Sequence, residues 1–187
     1  MITEVIAEVE SQCKERRVPM LGREKAEYLA ALVTEKQPGL IVECGTAIGY
    51  SGLWMASRLG KDSRIITLEI DEDRAREAQS NFERADVREV IDSRIGNAVD
   101  LVKEIAEPVD FLLLDNNYGN YMPCFQGISS WLKDGATVVA DNVGIGADGM
   151  ADYLDRVRSR YDSKTVWFDV DLPWVKKDAM EVTVFQR

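Results

Sequence analysis

Apolar residues recur along this chain in two alternating patterns, and the alternation predicts an α/β domain. Short runs of consecutive apolar and β-branched residues are typical of buried parallel strands, whereas apolar residues every three or four positions indicate one face of a helix. Because helical patterns fall between most of the runs, we expect one doubly wound domain over residues 1–187, with a mostly parallel sheet and helices on both faces. The runs predict seven strands, near residues 40–42, 65–70, 87–95, 109–115, 136–142, 165–168 and 179–185.

Two amphipathic helices are predicted ahead of the first strand, within residues 1–36, so that the α/β core spans residues 40–187. In the first helix the acids come early and the bases late, as the helix dipole favours. Val18-Pro19 ends it, and the second helix stops before Pro38-Gly39. We interpret both helices as cover for one sheet face or for a partner subunit in a possible homodimer. The alternative is that the turn at residues 18–22 lies over a bound cofactor or substrate.

The turn that follows the first predicted strand carries the clearest candidate chemistry, in the sequence Glu-Cys-Gly-Thr-Ala-Ile-Gly-Tyr-Ser-Gly of residues 43–52. Gly45 and Gly49 can take positive φ angles and let a ligand approach the backbone. Ligands of open α/β sheets bind at the carboxyl ends of the strands, where free N–H groups favour anions. A dinucleotide fingerprint would need glycine in place of Ala47, and no Gly-Lys-Ser/Thr of a Walker loop follows. The turn therefore predicts a cofactor site, with an ordinary strand-to-helix turn as the alternative.

An acidic residue lies near the end of the second predicted strand, at Glu69, twenty residues beyond Gly49. At this separation a doubly wound fold brings a carboxylate to the ribose hydroxyls of an adenosine. A nicotinamide oxidoreductase would share this residue, so the spacing alone leaves the nucleotide open. A solvated charge at the strand end is the alternative, although Asp71 is better placed to cap the next helix.

Two later strands also end on oxygen-bearing side chains, Asp115 on one and Asp141-Asn142 on the other. Because the carboxyl ends of neighbouring parallel strands meet at one edge of a sheet, we expect the three side chains to lie close together. Carboxylate and amide oxygens are the ligands that Mg²⁺ and Ca²⁺ prefer. The strand ends therefore predict a divalent-cation site, although each residue alone could simply cap its strand.

The composition narrows the classes of partner and chemistry. Lys and Arg number 23 against 33 Asp and Glu, and the net charge of −10 repels phosphate backbones and anionic lipid surfaces. Nucleic acid is therefore an unlikely partner, and no apolar run is long enough to suggest a membrane span. The absence of histidine excludes hydrolases that use a Ser-His or Cys-His pair.

The three cysteines, Cys13, Cys44 and Cys124, show neither metal-binding nor paired spacing. We interpret them as free thiols in a reducing compartment. The first ten residues carry three glutamates and no apolar core, so they do not resemble a signal peptide. We therefore expect a cytoplasmic location.

Taken together, these motifs resemble those of the cation-dependent O-methyltransferases of the catechol O-methyltransferase-like family, a group of class I S-adenosylmethionine-dependent methyltransferases. The resemblance extends from about Gly22 to Phe185 and implies a Rossmann-like methyltransferase fold. The matching segments are Val-Glu-Cys-Gly-Thr-Ala-Ile-Gly-Tyr-Ser at 42–51, Thr-Leu-Glu-Ile at 67–70, Asp-Phe-Leu-Leu-Leu-Asp at 110–115 and Gly-Ala-Thr-Val-Val-Ala-Asp-Asn at 135–142.

The resemblance implies S-adenosylmethionine as the cofactor and Mg²⁺ or another divalent cation at the strand ends. The metal ligands of the family fall on Asp115, Asp141 and Asn142. The implied reaction is methyl transfer to a hydroxyl of a small molecule, a catechol-like or vicinal diol acceptor that the cation coordinates and acidifies. The adenine edge is expected near Asn97 and Ala98. The cofactor contacts of the family fall on Glu43, Gly45, Gly49, Ser51, Glu69, Ile70, Asn97, Ala98 and Asp115.

One residue departs from the family pattern, and it bears on catalysis. The family places a lysine base three residues after the first metal-binding aspartate, where this chain has Tyr118. A free tyrosine has a pKa of about 10, so at neutral pH Tyr118 keeps its proton and is a poor base. We therefore expect Tyr118, the candidate catalytic residue, to orient the acceptor. The departure leaves a non-catalytic S-adenosylmethionine-binding protein as an alternative. A tRNA methyltransferase of the same family is another, against which the net charge counts.

The residues that would select the acceptor have no motif support. We expect them in segments 143–150 and 171–177. We interpret Trp167 and Trp174 as core residues, with an aromatic platform for the acceptor as the alternative.

Overall fold

A seven-stranded sheet organises the structure, a computed structural model that describes residues 1–187. Across the sheet the strands lie in the order β3-β2-β1-β4-β5-β7-β6. Strands β1 to β5 run parallel, and β7 is antiparallel to both β5 and β6, which confirms the predicted doubly wound α/β fold. The strands are β1 (Leu40–Cys44), β2 (Arg64–Glu69), β3 (Ile91–Ile95), β4 (Val109–Leu114), β5 (Leu132–Ala140), β6 (Asp162–Asp169) and β7 (Lys177–Val184).

Seven α-helices cover the sheet, and none has the length and apolar character that crossing a membrane requires. The three cysteines are buried free thiols, as predicted. The helices are α1 (Ile2–Arg16), α2 (Arg23–Lys36), α3 (Tyr50–Ala56), α4 (Glu72–Arg84), α5 (Ala98–Leu101), α6 (Tyr121–Ile128) and α7 (Ala151–Arg160), with short 3₁₀ helices at Val102–Glu104, Tyr118–Asn120 and Ala147–Met150.

Both faces of the sheet are buried, which explains the consecutive apolar residues of its central strands. In β4, Phe111 and Leu113 belong to one apolar cluster with α1 to α4, whereas Leu112 and Leu114 belong to a second cluster with α6 and α7. The N-terminal helices therefore cover one sheet face of their own chain, as the preferred interpretation of them expects.

The element bounds differ from the sequence prediction at β3, which begins at Ile91 and not near residue 87, and around β5. Helix α6 stops at Ile128, and β5 begins at Leu132, four residues before the predicted start. The early start follows from pairing across the sheet, because Leu132 lies beside Val109 and the register shifts before Phe111. Gly135 allows this irregularity with a φ of 83°, and its N–H donates to the Phe185 carbonyl oxygen at 2.8 Å.

The sheet order reverses between β1 and β4, and a crevice forms where such a reversal brings strand ends together. Strand β2, which pairs with β1, ends at Glu69. Asp115 follows β4, and Asp141 follows β5. The topology therefore brings the acidic strand ends predicted from sequence to one edge of the sheet.

Candidate active site

A cavity of about 730 Å³ opens at the carboxyl ends of β1, β2 and β4. Small ligands and cofactors commonly occupy cavities of about 300–1,000 Å³. The turn between α1 and α2 lines it through Pro19, Met20 and Leu21, as the alternative interpretation of that turn expects. Glu43 and Gly49 do not line it. The predicted cofactor residues that do line it are Gly45, Ser51, Glu69, Ile70, Asn97, Ala98 and Asp115.

Glu69 organises the glycine turn as well as lining the cavity. One carboxylate oxygen accepts the backbone N–H groups of Thr46 and Ala47 at 3.2 and 2.8 Å, and the other accepts that of Asp71 at 2.9 Å. Beside it, Ile70 is 70% exposed and presents apolar surface at the cavity. Glu69 therefore shapes the turn around the site where it is predicted to bind ribose.

Glu43 is fully buried beneath the turn, where its carboxylate accepts the hydroxyls of Ser51 and Thr67. Burial raises the pKa of Glu43 to about 7, against the effect of the two hydroxyl bonds. Since Ser51 lines the cavity and Glu43 does not, Glu43 positions a cavity-lining residue. The direct contact with the cofactor that the resemblance implies is not supported by this placement.

The two glycines of the turn have the positive φ angles predicted from sequence, and both are also required for packing. Gly45 has a φ of 103°, and a Cβ there would lie 2.2 Å from the carbonyl oxygen of Asp115. Gly49 has a φ of 95°, and a Cβ there would lie 2.7 Å from the Phe82 ring. The turn approaches the end of β4 and the side of α4 too closely for a side chain at either position.

Lys25, which sequence analysis missed, is the buried cation at this edge of the sheet. Its Nζ donates to both oxygens of Asp141 at 2.7 and 2.8 Å and to Asp178 at 2.7 Å. Burial opposes the charged ammonium, but the two carboxylates outweigh it and hold the pKa of Lys25 above its ordinary value. Lys25 thus ties α2 to β7 and to the end of β5.

A sequence signal for Lys25 exists in retrospect. It lies four residues before Leu29 and one before Ala26, on the side of α2 that is otherwise apolar and buried. A charged residue on a buried helix face needs a counterion, because an unpaired charge there would be costly. The sequence did not identify the counterions, which lie 116 and 153 residues away.

The predicted metal ligands fall into two environments. Asp115 and Asn142 line the cavity, whereas Asp141 lies behind them with 1% of its surface exposed. The Asp115 carboxylate has no hydrogen-bond partner, and burial together with the nearby Asp141 charge raises its pKa. The amide nitrogen of Asn142 donates to Asp178 at 2.9 Å, which leaves its carbonyl oxygen free. Asp178, missed by sequence analysis, also accepts the N–H groups of Gly144 and Ile145, each at 3.1 Å.

These groups fit a divalent cation by their chemistry. The structure has no cluster of three or more His, Cys, Asp and Glu side chains placed to hold a metal, so the predicted set consists of two carboxylates and one amide. Such hard oxygen donors suit Mg²⁺, which is usually held by one or two carboxylates and keeps several water ligands. When ionised, the carboxylates of this group outnumber its ammonium by two, since Asp115, Asp141 and Asp178 face only Lys25. A divalent cation would balance these two negative charges.

A second cavity, of about 360 Å³, adjoins the first. Asp115, Tyr118 and Asn142 line both. Four apolar residues from the predicted acceptor segments line the second cavity, as expected: Ile145, Leu172, Trp174 and Val175.

The core interpretation of the two tryptophans is wrong. Trp174 is 36% exposed and lines the second cavity. Trp167 is 56% exposed, because it lies on the edge strand β6, and Lys177 Nζ is 5.6 Å from its ring centroid.

Tyr118 lies at the junction of the two cavities, half-buried. Its ring contacts Tyr121 edge to face at 6.2 Å, and a Cβ on Gly146 would lie 2.7 Å from it. Burial and then the carboxylates of Asp178 and Asp115 raise the pKa of Tyr118 above its ordinary value. Tyr118 therefore keeps its proton at neutral pH and can donate a hydrogen bond, as the sequence argument expects.

Comparisons with known proteins match this architecture. The family model of O-methyltransferases matches residues 3–159. A catechol O-methyltransferase of Niastella koreensis is 38% identical over 123 residues, which are 64% of this chain and 56% of that protein. The mouse catechol O-methyltransferase is 27% identical over 191 residues, with 97% of this chain and 71% of that protein covered. The chain thus spans little more than half of the Niastella relative.

Solved structures show the same fold. The O-methyltransferase TomG from Streptomyces achromogenes, in complex with SAM, has a TM-score of 0.85 at 23% identity, with 98% of this chain and 90% of that chain covered. An O-methyltransferase from Bacillus cereus, in complex with SAH, has a TM-score of 0.84 at 23% identity, with 97% and 91% covered. At this level of identity the likeness concerns the fold.

Proposed function

Because the chain belongs to the S-adenosylmethionine-dependent O-methyltransferase family, in the group similar to catechol O-methyltransferases, we propose that it methylates a small catechol-like or vicinal diol acceptor with the help of a divalent cation. One observation carries the proposal. Asp115 and Asn142 present unpartnered oxygen atoms where the cofactor-sized cavity meets a smaller one with both apolar and charged lining residues. A cation and the hydroxyls of an acceptor fit this junction.

The larger cavity would hold S-adenosylmethionine. Glu69 would accept the ribose hydroxyls, since its carboxylate lines the cavity and is fixed by three backbone N–H groups. Ile70 would cover the adenine ring, and Asn97 and Ala98 would lie at its edge. Ser51 would meet the methionine half, with Glu43 holding its hydroxyl. The absence of a third glycine at Ala47 favours this cofactor over a dinucleotide.

Asp115, Asp141 and Asn142 would hold the cation. When bound, Mg²⁺ supplies Lewis-acid stabilisation of a deprotonated hydroxyl. Lys25 holds both oxygens of Asp141, and Asp178 holds the amide nitrogen of Asn142, so both ligands are fixed before the ion binds.

The chain's own groups then align the reaction. Tyr118 donates a hydrogen bond to the acceptor, and the apolar side chains of Trp174 and Val175 orient the ring of the acceptor. The acceptor oxygen forms a bond to the methyl carbon as the carbon–sulfur bond breaks. The sulfonium becomes the neutral thioether of S-adenosylhomocysteine, and the hydroxyl proton passes to solvent. Positioning of the two reactants accounts for much of the rate, and no covalent enzyme intermediate is needed.

The acceptor is proposed to be a small molecule and not a nucleic acid. The second cavity is small, with a volume of about 360 Å³, and the net charge of −10 repels a phosphate backbone.

The test is the incubation of purified protein with S-adenosylmethionine and catechol, with Mg²⁺ or with excess EDTA, followed by mass spectrometry of both products. We expect methylated catechol and S-adenosylhomocysteine in equal amounts with Mg²⁺ and neither with EDTA. Asp115→Asn should abolish turnover, whereas Asp162→Asn, an exposed change on the edge strand β6, should not.

The outcomes separate the parts of the proposal. Full turnover in EDTA would refute the role of the cation. No turnover of any diol, despite calorimetric binding of S-adenosylmethionine, would refute the transfer itself and favour a cofactor-binding protein.

A further inference from the structure

We propose that the acceptor carries a carboxylate beside its hydroxyls and that Arg17 binds this carboxylate. The inference rests on the proposed function, because it concerns the acceptor of the same reaction. The observation behind it is a cation without a partner in the second cavity, whose charged lining residues are Arg17, Lys25, Asp115 and Asp178. Lys25 and Asp178 bind each other, and Asp115 is assigned to the divalent cation.

Arg17 differs from the cations around it. Lys14 and Arg23 are paired with Glu10, and Arg16 is paired with Glu77. Arg17 is exposed and forms no ion pair or side-chain hydrogen bond. In a chain with ten more negative than positive charges, a cation that stays free among paired neighbours is available to a ligand.

The backbone fixes Arg17 at the rim of the cavity. It is the C-cap residue of α1, with a φ of 55° and a ψ of 40°, and its N–H donates to the Cys13 carbonyl oxygen. Glycine is the usual residue in this left-handed cap, because other side chains are strained there. The next N–H, of Val18, donates to the same oxygen at 3.0 Å. The cap therefore holds the backbone of Arg17 in one conformation.

The rest of the cavity suits an aromatic ring. Ile145 is 51% exposed and Trp174 is 36% exposed, so both present apolar surface that a planar ligand could cover. A guanidinium binds a carboxylate with two parallel hydrogen bonds, which a neutral acceptor cannot accept in that form. The overall charge of −10 repels an anionic acceptor, so recognition of an acid needs such a local cation. The class of acceptor that fits is a dihydroxyaromatic acid.

Arg17 lines the second cavity and not the larger one. It is therefore assigned to the acceptor and not to the carboxylate of S-adenosylmethionine.

The test compares 3,4-dihydroxybenzoate with catechol, which has the same hydroxyls and no carboxylate. KM is measured for both, and calorimetry gives their affinities for protein loaded with S-adenosylhomocysteine and Mg²⁺. The wild type should have a lower KM and a lower Kd for 3,4-dihydroxybenzoate than for catechol. Arg17→Gln should raise the acid-to-catechol ratio of KM, and of Kd, by about ten- to a hundredfold, the worth of charge-assisted hydrogen bonds. Arg16→Gln, the neighbouring change, should leave both ratios as in the wild type.

Each outcome decides the inference separately from the proposed function. Equal KM and Kd for the two acceptors in the wild type would overturn the role of Arg17. So would a loss of S-adenosylmethionine affinity in Arg17→Gln, because it would place Arg17 at the cofactor. If neither acceptor is methylated, the proposed function fails, and the calorimetric ratio still shows whether Arg17 recognises the carboxylate.

Discussion

Replacing Lys25 with methionine should strongly destabilise the protein, because it removes the cation that two buried carboxylates share. Lys25, Asp141 and Asp178 are each at most 1% exposed. Methionine fills a similar volume without a charge, so the change isolates the loss of the ammonium. Asp141 would lose both of its hydrogen bonds to Lys25, whereas Asp178 would keep those from Asn142, Gly144 and Ile145.

The expected magnitude follows from the cost of an unpaired buried charge. Removing one partner of a buried ion pair costs about 3–5 kcal/mol. The free energy of unfolding of a typical domain is about 5–15 kcal/mol, so the variant should lose a large part of its stability. Lys25→Met combined with Asp141→Asn should be more stable than Lys25→Met alone, because one of the unpaired charges is gone.

The loss of stability in Lys25→Met should depend on pH. Burial already raises the pKa of Asp141 in the wild type, whereas Lys25 helps to lower that of Asp178. Without Lys25 both values should rise, so the folded protein would bind protons that the unfolded chain releases. The difference in the free energy of unfolding between Lys25→Met and the wild type should therefore shrink as pH falls from about 8 to about 5. In the wild type the pKa of Lys25 is raised above 10.5, so its contribution is fully present below that value and is lost as pH rises through the folded pKa.

The assay is urea unfolding followed by tryptophan fluorescence, with EDTA present throughout. Lys36→Met is the matched control on the same helix, since Lys36 is exposed and pairs only with its neighbour Glu35. It should leave the free energy of unfolding nearly unchanged. A Lys25→Met variant as stable as Lys36→Met at pH 8 would refute the reasoning, because the carboxylates would then not depend on Lys25.

Three further predictions concern the cofactor turn and Tyr118. Glu69→Ala should weaken S-adenosylmethionine binding by about 1.5–3 kcal/mol in calorimetry, the worth of charge-assisted hydrogen bonds, and unchanged affinity would exclude a ribose contact. Tyr118→Phe should lower kcat less than about 10²-fold, and a larger loss would make Tyr118 a true acid–base group. Gly45→Ala should destabilise by more than about 2 kcal/mol, since both the backbone strain and the contact with Asp115 oppose a Cβ. Gly135→Ala, with a positive φ but nothing within 4 Å of its Cβ, should cost only the strain of about 1–2 kcal/mol in urea unfolding, and equal losses would contradict the contact argument.

The sequence by itself determined the helices and strands, and the edge of the sheet at which the acidic strand ends meet. Burial on both faces forces consecutive apolar residues in β4, and such periodicity is a local property that can be read without the fold. The acids at the ends of β2, β4 and β5 could also be placed together, because parallel strands bring their carboxyl ends to one edge. The two segments expected to select the acceptor line the second cavity through Ile145, in the loop after β5, and Trp174, in the loop after β6.

Only the tertiary structure decided which groups touch. Lys25 reaches Asp141 across 116 residues and Asp178 across 153, and no spacing in the sequence encodes such a contact. The family resemblance assigned Glu43 to the cofactor, yet its carboxylate accepts the hydroxyls of Ser51 and Thr67 beneath the turn. Local periodicity specifies which face of an element is buried. The partner on the other side depends on how distant elements pack, and that is settled only when the chain folds.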